Sequence, residues 1–131
     1  MKMLVWGLAG VLVATVAVTA DQTRRTRQRD PRWIAPASAD AKANPLASDQ
    51  NAAAGGRKLF HQRCSTCHGE DARGTSRGPD LTTADVQAQS DGALFWKITS
   101  GDTRTGMPTF SFLPELQRWQ LVLHVRTHGG T

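Results

Sequence analysis

Tyrosine is absent from the 131 residues, and aromatics are only 6% of them. Four Phe and four Trp therefore supply all the bulky ring surface. A core of this size built from so few large side chains would be thin, which points to a bound group that completes it. Cysteine occurs twice, at Cys64 and Cys67, so a scaffold of several disulfides is excluded. Long apolar runs are nearly absent too: a single one occurs, which excludes a multi-span membrane protein. Hydrophobic residues at 39% and charged residues at 21% exclude a wholly disordered chain. No segment alternates as a strand, and no internal repeat is found. The length suits one small domain with an appendage.

The net charge of +5 invites a nucleic-acid reading, but its distribution does not support one. Residues 51–131 carry nine basic and seven acidic side chains, so the expected domain is nearly neutral. Residues 21–50 carry six basic and four acidic ones, five of the basic ones being arginines between Arg24 and Arg32. A nucleic-acid-binding domain would instead show a basic face with interleaved aromatics.

The apolar run, Met3 to Ala20 behind Lys2, fits either a signal peptide or a membrane anchor. Small residues at Val18-Thr19-Ala20 suit cleavage. The arginines that follow favour a cytoplasmic C-terminal side. The chemistry of the motif below requires export, and export is the reading adopted; cleavage and retention both stay open. Residues 21–50, punctuated by Pro31, Pro36 and Pro45, read as an Arg/Ala/Pro-rich linker, with Trp33 and Ile34 read as an exposed pair and docking on another surface as the alternative. Arginines in this stretch could also meet anionic lipid, so membrane association through residues 1–32 is the second reading.

Order is expected from Asn51. A helix is predicted from Asn51, its N-cap, to Cys64. Gly56 and Phe60 share one face of it, and the glycine implies a close neighbour. Residues 69–90 read as loop. A second helix is predicted over Asp91 to Ser100, with Gly101 past its end and Leu94, Phe95 and Ile98 as its apolar face. Pro114 opens a third, whose apolar side is Leu116, Trp119, Val122, Leu123 and Val125. The expected fold is all-α, with three or more helices and long loops, over residues 51–131.

The informative string is Cys64-Ser65-Thr66-Cys67-His68. C-x-x-C-H is the attachment pattern of haem c. Two cysteines three apart at a helix end lie on one side and can each add to a vinyl group of one porphyrin. His68 can then reach the iron as an axial ligand. A thioredoxin-like site would need a β-α-β surround, which is missing. A zinc site would need four N/S ligands, and this spacing with one distant histidine is unusual. Met107 is the sixth-ligand candidate: Met1 and Met3 lie in the targeting segment, and Met107 sits in the loop Thr105-Gly106-Met107-Pro108. Filler methionines usually occupy an element's apolar face rather than such a turn. His61, His124 and His128 are the fallback ligands, each read as solvent-facing.

Over residues 51–131 the chain resembles a class I mono-haem cytochrome c of the small bacterial periplasmic kind. Carrying the resemblance are Gly56 and Phe60, the Cys64-Cys67-His68-Gly69 string, Gly78-Pro79-Asp80-Leu81, Leu94 to Ile98 with Gly101, Met107-Pro108 with Phe110, and Trp119 with Val122 and Leu123. The resemblance implies a cytochrome c-like fold around haem c bound through Cys64 and Cys67, with His68 and Met107 on the iron. It also implies that the Pro79 carbonyl accepts the His68 Nδ1 proton. Arg77, Arg104 and Trp96 are candidates for the propionates, not fixed by any motif. The function implied is a one-electron carrier between exported or membrane-bound redox proteins, on the periplasmic side and either free or anchored by residues 3–20, and not an enzyme. Two other functions stay open: the haem subunit of a larger oxidoreductase, and a peroxide- or gas-reactive haem protein if Met107 leaves the iron.

Overall fold

The computed structural model describes residues 33–49 and 51–129. The expectations for residues 1–20, and for the arginines up to Arg32, lie outside the described residues. Among those described there are six helices: α1 (Ala37–Asp40), α2 (Ala52–Arg63), α3 (Ser65–His68), α4 (Ala84–Gln87), α5 (Asp91–Ser100) and α6 (Glu115–Arg126). No strand forms among them; one isolated antiparallel bridge joins Asp102 and Met107. The all-α class is therefore observed, and no described helix is long and apolar enough to cross a membrane.

Helix α5 has the expected bounds because its ends are chemically marked. The Ser90 side chain accepts a hydrogen bond from Ala93 N at 3.0 Å, and Gly101 closes the far end at φ 62°. Helix α2 starts differently. Asn51 occupies the N-cap but makes no side-chain cap bond; the first turn is held instead by Asp49 and Asn51 carbonyls, which accept from Ala52 N and Ala54 N. The stretch 69–90, read as loop, contains the short helix α4, whose Val86 is buried.

Helices α2 and α6 pack across one another. A Cβ at Gly56 would collide with the Gln120 carbonyl and lie 3.0 Å from His124 Cβ. Gly56 thus faces Gln120 and His124. Helix α6 is covered on two sides. Trp119, Val122 and Val125 join Val86, Leu94 and Phe95 in one cluster. Leu121 joins Phe60, Ala72, Phe110 and Leu113 in the other. Within the first, Phe95 stacks on Trp119 at a centroid distance of 3.9 Å. The expected single stripe on α6 is corrected accordingly: Leu116 is 56% exposed, while Leu121 and His124 are buried.

Packing begins upstream of Asn51, the expected start of order. Helix α1 lies on α5, where a Cβ at Gly92 would collide with the Ala39 carbonyl. The Ser90 hydroxyl donates to the Asp40 carbonyl at 2.9 Å, and Ala39 and Asn44 are buried. Trp33, read as exposed, is half-buried and donates its indole N–H to the Gly101 carbonyl at 3.1 Å, with Lys97 Nζ 4.7 Å from its ring centroid. Ile34 is exposed, as expected. This segment docks through backbone atoms, one indole, the buried Ala39 and Leu46, which packs on the Trp119 cluster; two apolar side chains do not make a sustained helical period.

Candidate functional site

Cys64 ends α2 and caps α3, so Cys64, Cys67 and His68 fall within little more than one helical turn. The turn is fixed by backbone bonds from Cys67 N and His68 N to the Cys64 carbonyl, at 3.1 and 2.9 Å. Ser65, buried, donates its hydroxyl to the His61 carbonyl at 2.8 Å, which ties α3 to α2. Both thiols are free and half-buried. Burial pushes the Cys64 thiol up to about 12, with Cys67 adding to the effect.

The loop after α3 wraps back onto this turn. Gly74 N donates to the His68 carbonyl at 2.7 Å, and Thr75 Oγ1 donates to the Cys67 carbonyl at 2.6 Å. A Cβ at Gly78 would stand 2.8 Å from the Cys67 carbonyl oxygen, so the loop can pass there only without a side chain. These contacts place the Pro79 carbonyl 2.9 Å from His68 Nδ1. Burial lowers the His68 pKa from its ordinary value, and the bond to Pro79 opposes that. The neutral tautomer with its proton on Nδ1 leaves Nε2 as the ring's lone-pair donor.

Met107 comes to the same region from the distal loop. Asp102 N donates to the Met107 carbonyl at 2.9 Å, and Met107 N donates to the Asp102 carbonyl at 3.0 Å. The buried Asp102 carboxylate accepts from Arg104 Nε at 3.1 Å and from Arg104 N at 3.2 Å, which folds the loop on itself. Arg104 thus has a carboxylate partner, whereas Arg77 is exposed.

Cys64 and Met107 pack against one apolar cluster, that of Phe60, Ala72, Phe110, Leu113 and Leu121, together with Leu59, Leu81 and Ile98. Two free thiols and an imidazole with a fixed tautomer on one turn, with the Met107 thioether packed on the same apolar cluster as Cys64, form a donor set that suits haem iron with cysteine attachment. No group of three or more His, Cys, Asp or Glu side chains able to hold a metal ion occurs among the described residues.

The fallback histidines gather at the α2–α6 crossing. His124 is buried, its ring centroid 5.0 Å from that of Phe60, and its Nε2 lies 3.3 Å from His128 Nε2. His61 pairs with Glu70. The expectation that His124 faces solvent is therefore corrected: the α2–α6 crossing covers it. Burial, then His128, His61 and Arg57, lower its pKa to about 4.

Residues 51–125 match the family described as cytochrome c oxidase, cbb3-type, subunit III. The cbb3-type cytochrome c oxidase subunit CcoP of Rubrivivax gelatinosus is 39% identical over 67 residues, which are 51% of this chain and 21% of that protein. The chain thus spans about a fifth of the curated relative it matches. Among solved structures, cytochrome CL from Methylophaga aminisulfidivorans MPT is similar with a TM-score of 0.55 and 29% identity, over 63% of this chain and 57% of that one. The KustC0563 c-type cytochrome gives a TM-score of 0.51 and 33% identity, over 56% of this chain and 95% of that one.

Proposed function

The chain belongs to the cytochrome c oxidase, cbb3-type, subunit III family, and on that premise we propose that it carries single electrons with Cys64, Cys67, His68 and Met107 as its haem-holding residues. The cofactor of such a domain is covalent haem c, whose iron cycles between ferric and ferrous states. The observation that carries the ligand assignment is the bond between His68 Nδ1 and the Pro79 carbonyl, which aims Nε2 and fixes its protonation. Cys64 and Cys67 would hold the group through their sulfurs, so that loss of an iron ligand would not release it. Met107 supplies a soft thioether that favours the reduced metal and raises the potential relative to two histidines. Leu81, Ile98, Phe110 and Leu113 exclude water, which disfavours the additional charge of the oxidised state.

Electron transfer asks for no general base or nucleophile, and the donor set is complete without one; the domain is a carrier and not an enzyme in itself. Similarity to an oxidase subunit supports membership in a series of redox proteins at the membrane. Covalent attachment to C-x-x-C-H supports export, with residues 1–20 as signal or anchor and the domain on the periplasmic side. Purification from membrane and soluble fractions, with absorption spectra in both oxidation states and N-terminal sequencing, tests the whole reading. A six-coordinate low-spin spectrum in both states is expected. Haem staining should survive a denaturing gel and vanish when Cys64 and Cys67 are both replaced by Ser. A high-spin reduced spectrum would favour the gas- or peroxide-reactive alternative, and haem extracted by acid and organic solvent would overturn attachment.

A further inference from the structure

The distal loop is gripped from both sides at its base. From within, Asp102 and Met107 exchange backbone hydrogen bonds, and Phe110 N donates to the Ile98 carbonyl at 3.2 Å. Gly101 stands at φ 62°, so close to the loop's return that a Cβ there would lie 2.7 Å from the Met107 carbonyl oxygen and would also collide with the Pro108 carbonyl. A shift of the Gly101 peptide therefore pushes directly on the Met107–Pro108 backbone. From outside, one long-range side-chain bond ends on that peptide: Trp33 Nε1 donates to the Gly101 carbonyl at 3.1 Å, across 68 positions of sequence. The indole is itself held by Lys97 Nζ, 4.7 Å from its ring centroid. Its segment is held on α5 through Ala39 at Gly92 and Asp40 at Ser90.

We propose that Trp33 is a positioning residue for Met107, acting through the Gly101 carbonyl to hold the distal loop at its base. The proposal rests on the reading of Met107 as the iron's sixth ligand. Trp33 acts on the Gly101 carbonyl; through it the indole limits how far the loop swings outward, and hence how easily a foreign ligand displaces Met107. The N-terminal segment thereby becomes part of the distal site, even though every ligand lies after Asn51.

The test uses the full haem-loaded chain and imidazole as the competing ligand of the ferric form. Trp33→Phe keeps a ring for Lys97 but deletes the N–H; Trp33→Ala deletes both. Imidazole affinity should rise about threefold for Trp33→Phe and about tenfold for Trp33→Ala, the range expected for one lost hydrogen bond and for that bond plus its packing. The long-wavelength charge-transfer absorption of the thioether–ferric bond should weaken in the same order, while the melting temperature of Trp33→Phe stays close to wild type. Unchanged imidazole affinity in both variants, with a large rise in Met107→Ala, would overturn the role of Trp33 and leave the Met107 ligand standing. Unchanged affinity in Met107→Ala as well would overturn the ligand reading and this proposal with it.

Discussion

Gly56 lies directly against Gln120: a Cβ at residue 56 would come 2.6 Å from the Gln120 carbonyl carbon. Its neighbour Gly55 faces only the end of the Gln120 side chain, with Nε2 2.8 Å from a Cβ placed there. A backbone carbonyl inside a helix cannot retreat, whereas a side-chain amide can. Gly56→Ala should therefore destabilise by about 1–3 kcal/mol. Gly55→Ala should be neutral or gain up to about 1 kcal/mol from helix propensity. Denaturant unfolding of the two variants checks this. Equal stabilities would place the crossing elsewhere.

Met107→Ala should leave haem attached, lower the potential and open the distal face. The reduced variant should bind carbon monoxide readily, where wild type binds it poorly. Optical titration with the gas and a redox titration read both effects. A variant matching wild type in both would return attention to His61, His124 and His128.

His124 gives stability a pH dependence of known sign. Its folded pKa of about 4 lies below the ordinary 6.5, so the native state holds the neutral ring. Between these two values the unfolded chain binds the extra proton and the folded one does not. Stability is therefore full above pH 6.5 and falls as the pH drops toward 4. His124→Leu should flatten the profile across that window. A slope unchanged in this variant would assign the effect to other groups.

Replacement of residues 1–50 by a foreign signal peptide should lower the melting temperature while leaving haem attachment intact. The truncated chain loses the Trp33–Gly101 and Ser90–Asp40 bonds and uncovers Gly92. Asn51 onward still holds both thiols and His68. Thermal melts of full-length and truncated holoprotein, with haem staining, provide the comparison. Equal melting temperatures would show that the upstream packing contributes nothing.

Features written in neighbouring residues were readable from the sequence. The attachment string is local chemistry, and α5 announces itself through Ser90 and Gly101 at its two ends. Gly56 also betrayed a close neighbour, because a glycine in mid-helix needs a reason. Which neighbour it meets was hidden: Gln120 and His124 reach it through a crossing whose angle no single helix specifies. The same crossing buries His124, a residue whose polarity argues for solvent. Leu121 escaped the periodic pattern because α6 is packed on two sides, so a single stripe underdescribes it. Residues 33–49 escaped for another reason. Their docking rests largely on carbonyls and one indole N–H, with Ala39 and Leu46 adding apolar contact too sparse to announce itself, and backbone atoms leave no trace in a pattern of side chains.

The pairing of α2 with α6 also imposes a schedule. Cys64 closes the first of these helices, with Cys67 and His68 on the short helix that follows, while the helix packed across it starts only at Glu115. A chain emerging amino end first therefore presents both sulfurs and the imidazole in water before their lid has been made. Attachment has an interval in which to proceed on an open strand, and arrival of the carboxyl-terminal turns ends it. The long sequence separation that slows folding thus keeps the door open for the modification the fold is built around.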